Sequence, residues 1–97
     1  MVERYLFVKL LDDEVARREA IADHVCGAFA GVVTAGRVTV GVPADDSASR
    51  WDLSIVVRAD DLADWSRIAA LVEPMLVWLG ERAAVVKAWT FQLRPPC

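Results

Sequence analysis

The chain is poor in the side chains that carry most enzymatic chemistry: its 97 residues hold one histidine, His24, one tyrosine, Tyr5, and two cysteines, Cys26 and Cys97. A single histidine cannot assemble a metal site by itself, and no Asp or Glu stands at ligand spacing from it. The cysteines lack CxxC or CxxH spacing, which excludes a zinc ribbon and a thioredoxin-like motif, so no metal is expected. The glycine-bearing stretches "GAFAG" and "GVVTAG" have neither the lysine of a P-loop nor the preceding strand of a dinucleotide fingerprint. No cofactor is expected. Ser47, Ser49, Ser54 and Ser66 lack the context of a nucleophile elbow, which leaves covalent catalysis without a carrier.

Positive charge is also scarce. Eleven basic residues stand against fourteen acidic ones, for a net charge of -3, and the one adjacent basic pair, Arg17 and Arg18, is flanked by Glu14 and Glu19. Binding to phosphate backbones needs clustered Lys and Arg to release counterions, so nucleic acid is excluded as a partner. No apolar run approaches the roughly eighteen residues that span a bilayer, and the opening "MVERYLFVKLLDDE" meets acid after a short apolar stretch. The chain reads as cytoplasmic, with no membrane partner.

Apolar surface is abundant instead. Hydrophobic residues make up 56% of the chain, including four tryptophans, which is rich for a domain small enough to bury only about 60–65% of its unfolded surface. One domain is expected over residues 1–94, with a short tail at 95–97. Its surplus apolar surface suits a subunit interface.

Periodicity gives the elements. "RYLFVKL" alternates Leu6, Val8 and Leu10 against Tyr5, Phe7 and Lys9, as a strand does. Asp12 or Asp13 is expected to cap a helix on which Leu11, Val15, Arg18, Ala22, Val25 and Phe29 fall at helical spacing, ending at Gly31. "GRVTVGVP" reads as a second strand, and "PADDSAS" as the loop joining it to a third. In that third strand Trp51, Leu53, Ile55 and Val57 share one face, with Asp52 and Arg58 on the other, where they suit an ion pair across an interface. Asp60 or Asp61 caps a second helix, whose buried stripe runs through Leu62, Trp65, Ile68, Ala69 and Val72. Pro74 forces a break near Glu73 and a shorter helix beyond it, and residues 83–93 close the domain as a fourth strand. The order is βαββαβ. With right-handed crossovers this is an α+β, ferredoxin-like sandwich, a four-stranded antiparallel sheet with its helices on one face. The other face would carry Tyr5, Phe7, Thr39, Ser54 and Val56.

Four segments, "RYLFVKL", "AGRVTVG", "RWDLSIVVRADDLADW" and "LVWLGERAAVVKAWTF", give the chain a resemblance to the stress-responsive dimeric A/B barrel, or Dabb, domains. The resemblance implies a homodimer whose two sheets face each other as an α+β barrel, with a cleft in each subunit between sheet and helices. Some plant members cyclise polyketide chains in that cleft without a cofactor, using a histidine and a tyrosine. Trp65 stands about where those cyclases have the tyrosine, and the segment "WSRIAALVEP", where their "HPAH" motif would fall, has no histidine.

The candidate residues follow from both lines of reasoning. Arg4, Tyr5, His24, Trp65 and Trp89 are the ligand-cleft candidates, for a small apolar molecule: Arg4 to hold an oxygen, Tyr5 and His24 for polar chemistry, the indoles to line a pocket. Phe7, Thr39, Ser54 and Val56 are the dimer-interface candidates. No catalytic residue is assigned. The expected function is a homodimeric Dabb-like protein. A cofactor-independent, polyketide-cyclase-like enzyme and a non-catalytic stress-response or structural dimer are the alternatives, and a haem-degrading or quinol-forming monooxygenase would need polar groups beyond the plentiful tryptophan.

Overall fold

The computed structural model describes residues 1–97. Alternating apolar residues make the opening segment a strand, β1 (Val2–Leu10), in which Val2, Leu6, Val8 and Leu10 are buried. A 3-10 turn, Asp12–Arg17, leads into α1 (Arg18–Phe29). The expected cap is absent there: Leu11 occupies the N-cap of the 3-10 turn, and neither Asp12 nor Asp13 caps an α-helix. The acidic run tightens the entry turn, and the α-helix begins only where Arg18 reaches a buried partner described below. Ile21, Ala22, Val25 and Phe29 form the inner stripe of α1, and Gly31, with φ of +79°, ends it in the left-handed conformation that glycine adopts without a Cβ clash.

The short β2 (Val38–Gly41) stops two residues before Pro43, and a loop with a 3-10 turn at Asp46–Ala48 returns the chain to β3 (Leu53–Ala59). Leu53, Ile55, Val57 and Ala59 are buried. Asp61 then caps α2 (Leu62–Leu71) by accepting the Asp64 N–H at 2.7 Å, while Asp64 accepts the Asp60 N–H at 2.9 Å. Replacing Asp61 with alanine is expected to cost about 1 kcal/mol of stability, read as a lower midpoint in urea with an unchanged slope. The break expected near Glu73 falls at Val72, whose φ of -100° and ψ of 8° leave the helical region, and Pro74 sits in the first turn of α3 (Glu73–Arg82), where its missing N–H costs nothing. The two helices are of equal length, ten residues each. β4 (Ala83–Gln92) follows directly.

The strands form one antiparallel sheet in the order β2-β3-β1-β4. All three helices lie on one side of it, with α1 against β2, α2 against β3 and α3 crossing to both α1 and β4. One hydrophobic core of 16 residues fills the space between the layers. It draws on β1, β3 and every helix, and on no residue of β4. The last strand is left uncovered along most of its length.

Candidate functional site

Cross-strand register decides which residues share a face, because directly opposed residues in an antiparallel pair project to the same side. On the side away from the helices, one row reads Thr39, Val56, Tyr5, Trp89 from β2 to β4, the next reads Gly41, Ser54, Phe7, Lys87, and a third adds Arg58, Glu3, Phe91. Aromatic rings lock across these rows. Tyr5 meets Phe91 edge-on at 5.7 Å, Phe7 meets Trp89 edge-on at 5.4 Å, and Phe7 lies 5.8 Å from Trp51. Nothing in the chain covers this cluster, and Trp89 and Phe91 keep 42% and 57% of their surface exposed.

Apart from Lys87, opposite Phe7 on the edge strand, the charge on this face gathers at one margin of the patch. Arg58 donates to Glu3 Oε1 at 2.6 Å, and the Tyr5 hydroxyl donates to the other oxygen of the same carboxylate. Those two bonds, with Tyr5 the larger influence, hold the Glu3 carboxyl below its usual range, and the bond to Glu3 pushes the Tyr5 phenol up. At the opposite margin the loop after β2 folds over a recess of about 190 Å³ lined by Phe7, Gly41, Pro43, Trp51 and Ser54. Gly41 has to be a glycine or a pliable site, since a Cβ there would lie 2.6 Å from Ser54 Oγ.

On the helix side the corresponding row reads Val38, Val57, Arg4, Thr90. The core ends at its third member. Arg4 Nη1 donates to Thr90 Oγ1 at 2.9 Å, and the guanidinium carbon stands 5.5 Å from the centre of the Trp65 ring on α2. Arg4 Nε is buried and donates to nothing. Beyond this group the helix side of β4, opposite Leu6 and Val8, presents Ala88 and Val86, the latter 44% exposed.

The five ligand-cleft candidates therefore do not line one cleft. Arg4 and Trp65 come together on the helix side. Tyr5 and Trp89 face the other way, because odd-numbered positions of β1 and their β4 partners point from the sheet's open face. Trp65 and Trp89 thus stand on opposite sides of the sheet. His24 is on the exposed flank of α1, its ring stacked 3.9 Å from that of Trp78 on α3, whose indole also carries Arg82 at 4.1 Å. It lines a groove of about 380 Å³ between α1 and the α2–α3 junction with Leu71, Pro74 and Trp78. None of the four surface cavities is lined by Arg4, Tyr5, Trp65 or Trp89. Phe7, Thr39, Ser54 and Val56 do share the open face, in two adjacent rows.

Two further placements differ from the sequence expectation. Trp51 precedes β3 and turns to Phe7 on the open face, away from Leu53, Ile55 and Val57. Asp52 is not an interface residue: it is 4% exposed and accepts the Leu10 N–H at 2.8 Å and Arg18 Nη2 at 2.6 Å, with Lys9 Nζ at 3.9 Å. Desolvation would raise the Asp52 carboxyl, but the Leu10 N–H, Arg18 and Lys9 together outweigh it and hold the group below the usual carboxylate range. This one side chain ties the end of β1, the start of α1 and the approach to β3.

The sequence matches no family model and no curated protein. Several solved structures match it over nearly their whole lengths. A dimeric protein of unknown function from Bacteroides fragilis aligns with a TM-score of 0.75 at 17% identity, over 95% of each chain. An antibiotic biosynthesis monooxygenase aligns with a TM-score of 0.75 at 7% identity, over 98% of this chain and 100% of its own. A dimeric protein of unknown function from Thermobifida fusca gives 0.68 at 14% identity, over 95% of this chain and 90% of its own. The B. fragilis and T. fusca proteins are both described as ferredoxin-like.

The chain has the ferredoxin-like fold. Within it the helices cover β1 and β3 and leave β4 open on both sides, so this ferredoxin-like chain has two unfilled surfaces: a broad aromatic one and a narrow one beside Arg4. Sequence reasoning missed Phe91 and Thr90, which only the β1–β4 register brings to those surfaces, and the signal available was their alternation with Trp89 in "AWTF". No helix of the chain is long and apolar enough to cross a membrane.

Proposed function

We propose that the chain works as a homodimer, joined sheet against sheet, in which each subunit offers the strip beside β4 to a small, largely apolar molecule. The observation that carries the dimer is the uncovered cluster of Tyr5, Phe7, Trp51, Trp89 and Phe91 on a sheet face that no helix of the chain reaches. Such a patch, rimmed by charge, has the composition of an interface: aromatic at the centre with charged residues at the edge. Both the B. fragilis and T. fusca proteins are dimeric, and the likeness to Dabb domains points the same way.

The small-molecule part rests on the helix side, where Arg4, Trp65 and the exposed Ala88 and Val86 combine an aromatic wall, an apolar floor and one cation. Arg4 and the Thr90 hydroxyl bind oxygen but offer no base near neutral pH. Binding is therefore the chemistry the arrangement supports, and cyclase-like proton abstraction would need a base that His24, on the outer flank of the helices, does not supply. The two exposed free thiols, Cys26 and Cys97, suit a reducing compartment such as the cytoplasm.

Light scattering at micromolar concentration tests the assembly. The expected mass is twice the chain's 10.7 kDa, and a particle of single-chain mass at that concentration would overturn the reading.

A further inference from the structure

Arg4 is the one arginine that combines a buried, unpartnered donor with the lack of any ion pair; Arg50 and Arg94 are also unpaired but exposed, and Arg82 donates to the Trp78 carbonyl. Arg17, Arg18, Arg37, Arg58 and Arg67 each face a carboxylate of this chain. Arg4, half-buried on the inner side of the sheet, faces none. Three buried side-chain polar atoms lack a partner, and two of them, Glu14 Oε2 and Arg18 Nε, belong to side chains already held in ion pairs. The third is Arg4 Nε. A guanidinium out of bulk water without a counter-ion is costly, as is an orphaned donor.

The pattern of used and unused donors is informative. Nη1 is committed to Thr90 Oγ1, whereas Nε and Nη2 donate to no atom of the chain. Those two nitrogens form the side-on fork that pairs bidentately with a planar, two-oxygen acid. Trp65 provides a flat wall 5.5 Å from the guanidinium carbon, looser than the 4.1 Å contact of Arg82 on Trp78. Ala88 supplies a small apolar floor next to Thr90.

We infer that the strip beside β4 binds a flat, apolar molecule bearing one carboxylate, with the Nε–Nη2 edge of Arg4 as its anchor and the Trp65 indole as the wall that moves aside to admit it. The inference rests on the small-molecule reading above and gives it a ligand class. A monoanion fits better than a phosphate, because Arg4 is a single cation and its other neighbours are an indole, a hydroxyl and alkyl groups. The carboxylate supplies the acceptor that the buried Nε lacks and a second one for Nη2.

The test uses the whole chain labelled with nitrogen-15, following the indole N–H signals of the four tryptophans, with that of Trp65 assigned by Trp65→Phe. The probes are 2-naphthoate and its neutral isostere 2-naphthamide. The expected result is a titratable shift of the Trp65 signal by 2-naphthoate, at an affinity at least about tenfold tighter than for the amide, from the worth of hydrogen bonds to charged groups. Arg4→Met should abolish that preference, and Arg4→Lys, which keeps charge but not the fork, should recover only part of it. If amide and acid shift Trp65 equally, the strip binds apolar molecules and the carboxylate anchor is overturned. If neither probe moves Trp65, or only Trp51 and Trp89 respond, the strip is not the binding site and the small-molecule reading fails with it. The comparison of acid with amide in the wild-type chain decides the matter even if an Arg4 variant does not fold.

Discussion

Trp89→Asp should turn the proposed dimer into a monomer at micromolar concentration while the chain stays folded. In the single chain Trp89 is 42% exposed and contributes nothing to the core of 16 residues, so a charge placed there is solvated and costs the fold little. In a sheet-to-sheet dimer the same position lies at the centre of the aromatic patch, packed on Phe7 and beside Phe91. Central aromatic anchors contribute about 2–4 kcal/mol each to association, and a buried carboxylate facing its symmetry mate adds repulsion. The dissociation constant should therefore rise by at least about a hundredfold. Sedimentation equilibrium reads the constant, and far-UV circular dichroism checks that the strands remain. Symmetry doubles the effect, because each substitution enters an isologous interface twice. A substitution on the outer helical flank, such as Leu71→Asp, is the matching control: Leu71 is 57% exposed, and association should not change. Loss of the dimer in both variants, or in neither, would remove the open sheet face as the site of assembly.

The second large effect belongs to Asp52. Asp52→Ala should lower stability by about 3 kcal/mol, because it leaves the Leu10 N–H and the Arg18 guanidinium facing a cavity with no acceptor. For a domain of this size that amounts to a fall of roughly 12–24 °C in the melting temperature, measured at matched protein concentration so that dimerisation does not confound the comparison. Asp52→Asn keeps the shape and one acceptor and should lose less. The dependence on pH has a definite sign. Asp52 and Glu3 are both held below their ordinary values in the folded chain, so the unfolded chain binds more protons in the window beneath about pH 4. Their stabilisation is complete above that range and is lost as the pH falls through their folded-state values. The gap in melting temperature between wild type and Asp52→Asn should accordingly narrow on acidification below about pH 4. A gap that stays constant, or widens, would mean that the carboxylate's charge is not what stabilises the junction.

The elements themselves were legible because each carries its own period. β1 and β3 alternate cleanly, and Gly31, Asp61 and Pro74 punctuate at positions where backbone chemistry leaves few alternatives. The order of elements then limits the topology to a few arrangements. What the sequence hid is pairwise. Asp52 alternates with Leu53 and Ile55 and so reads as a residue of the outer strand face, and nothing local reveals that Leu10 and Arg18, 42 and 34 residues away, converge on it. Asp12 and Asp13 looked like caps because their composition suits one, yet the α-helix starts at Arg18. The candidate site divides in the same way. Composition groups Tyr5 and Trp89 with Trp65 as aromatic or polar neighbours of a cleft, but face is set by register, and a strand shifted by one residue exchanges every side chain between the two sides. The alternation of β1 alone puts Arg4 on the side of Leu6 and Val8. That its Nε is buried without an acceptor or a nearby carboxylate could be seen only in the folded chain.

The strand order has a consequence for how the chain is assembled. β1 is central, but both of its neighbours come later in sequence: the pairing of Val2 runs to Ala59 on one side and to Gln92 on the other. A chain emerging from the ribosome presents β1 before either neighbour and holds it without a partner until β3 appears, with its second edge open until β4 is complete. Loop closures of that length oppose early pairing, so the rate-limiting step is expected to be the meeting of β1 with β3 rather than the formation of any helix. During that interval both edges of β1 are open to association with other chains.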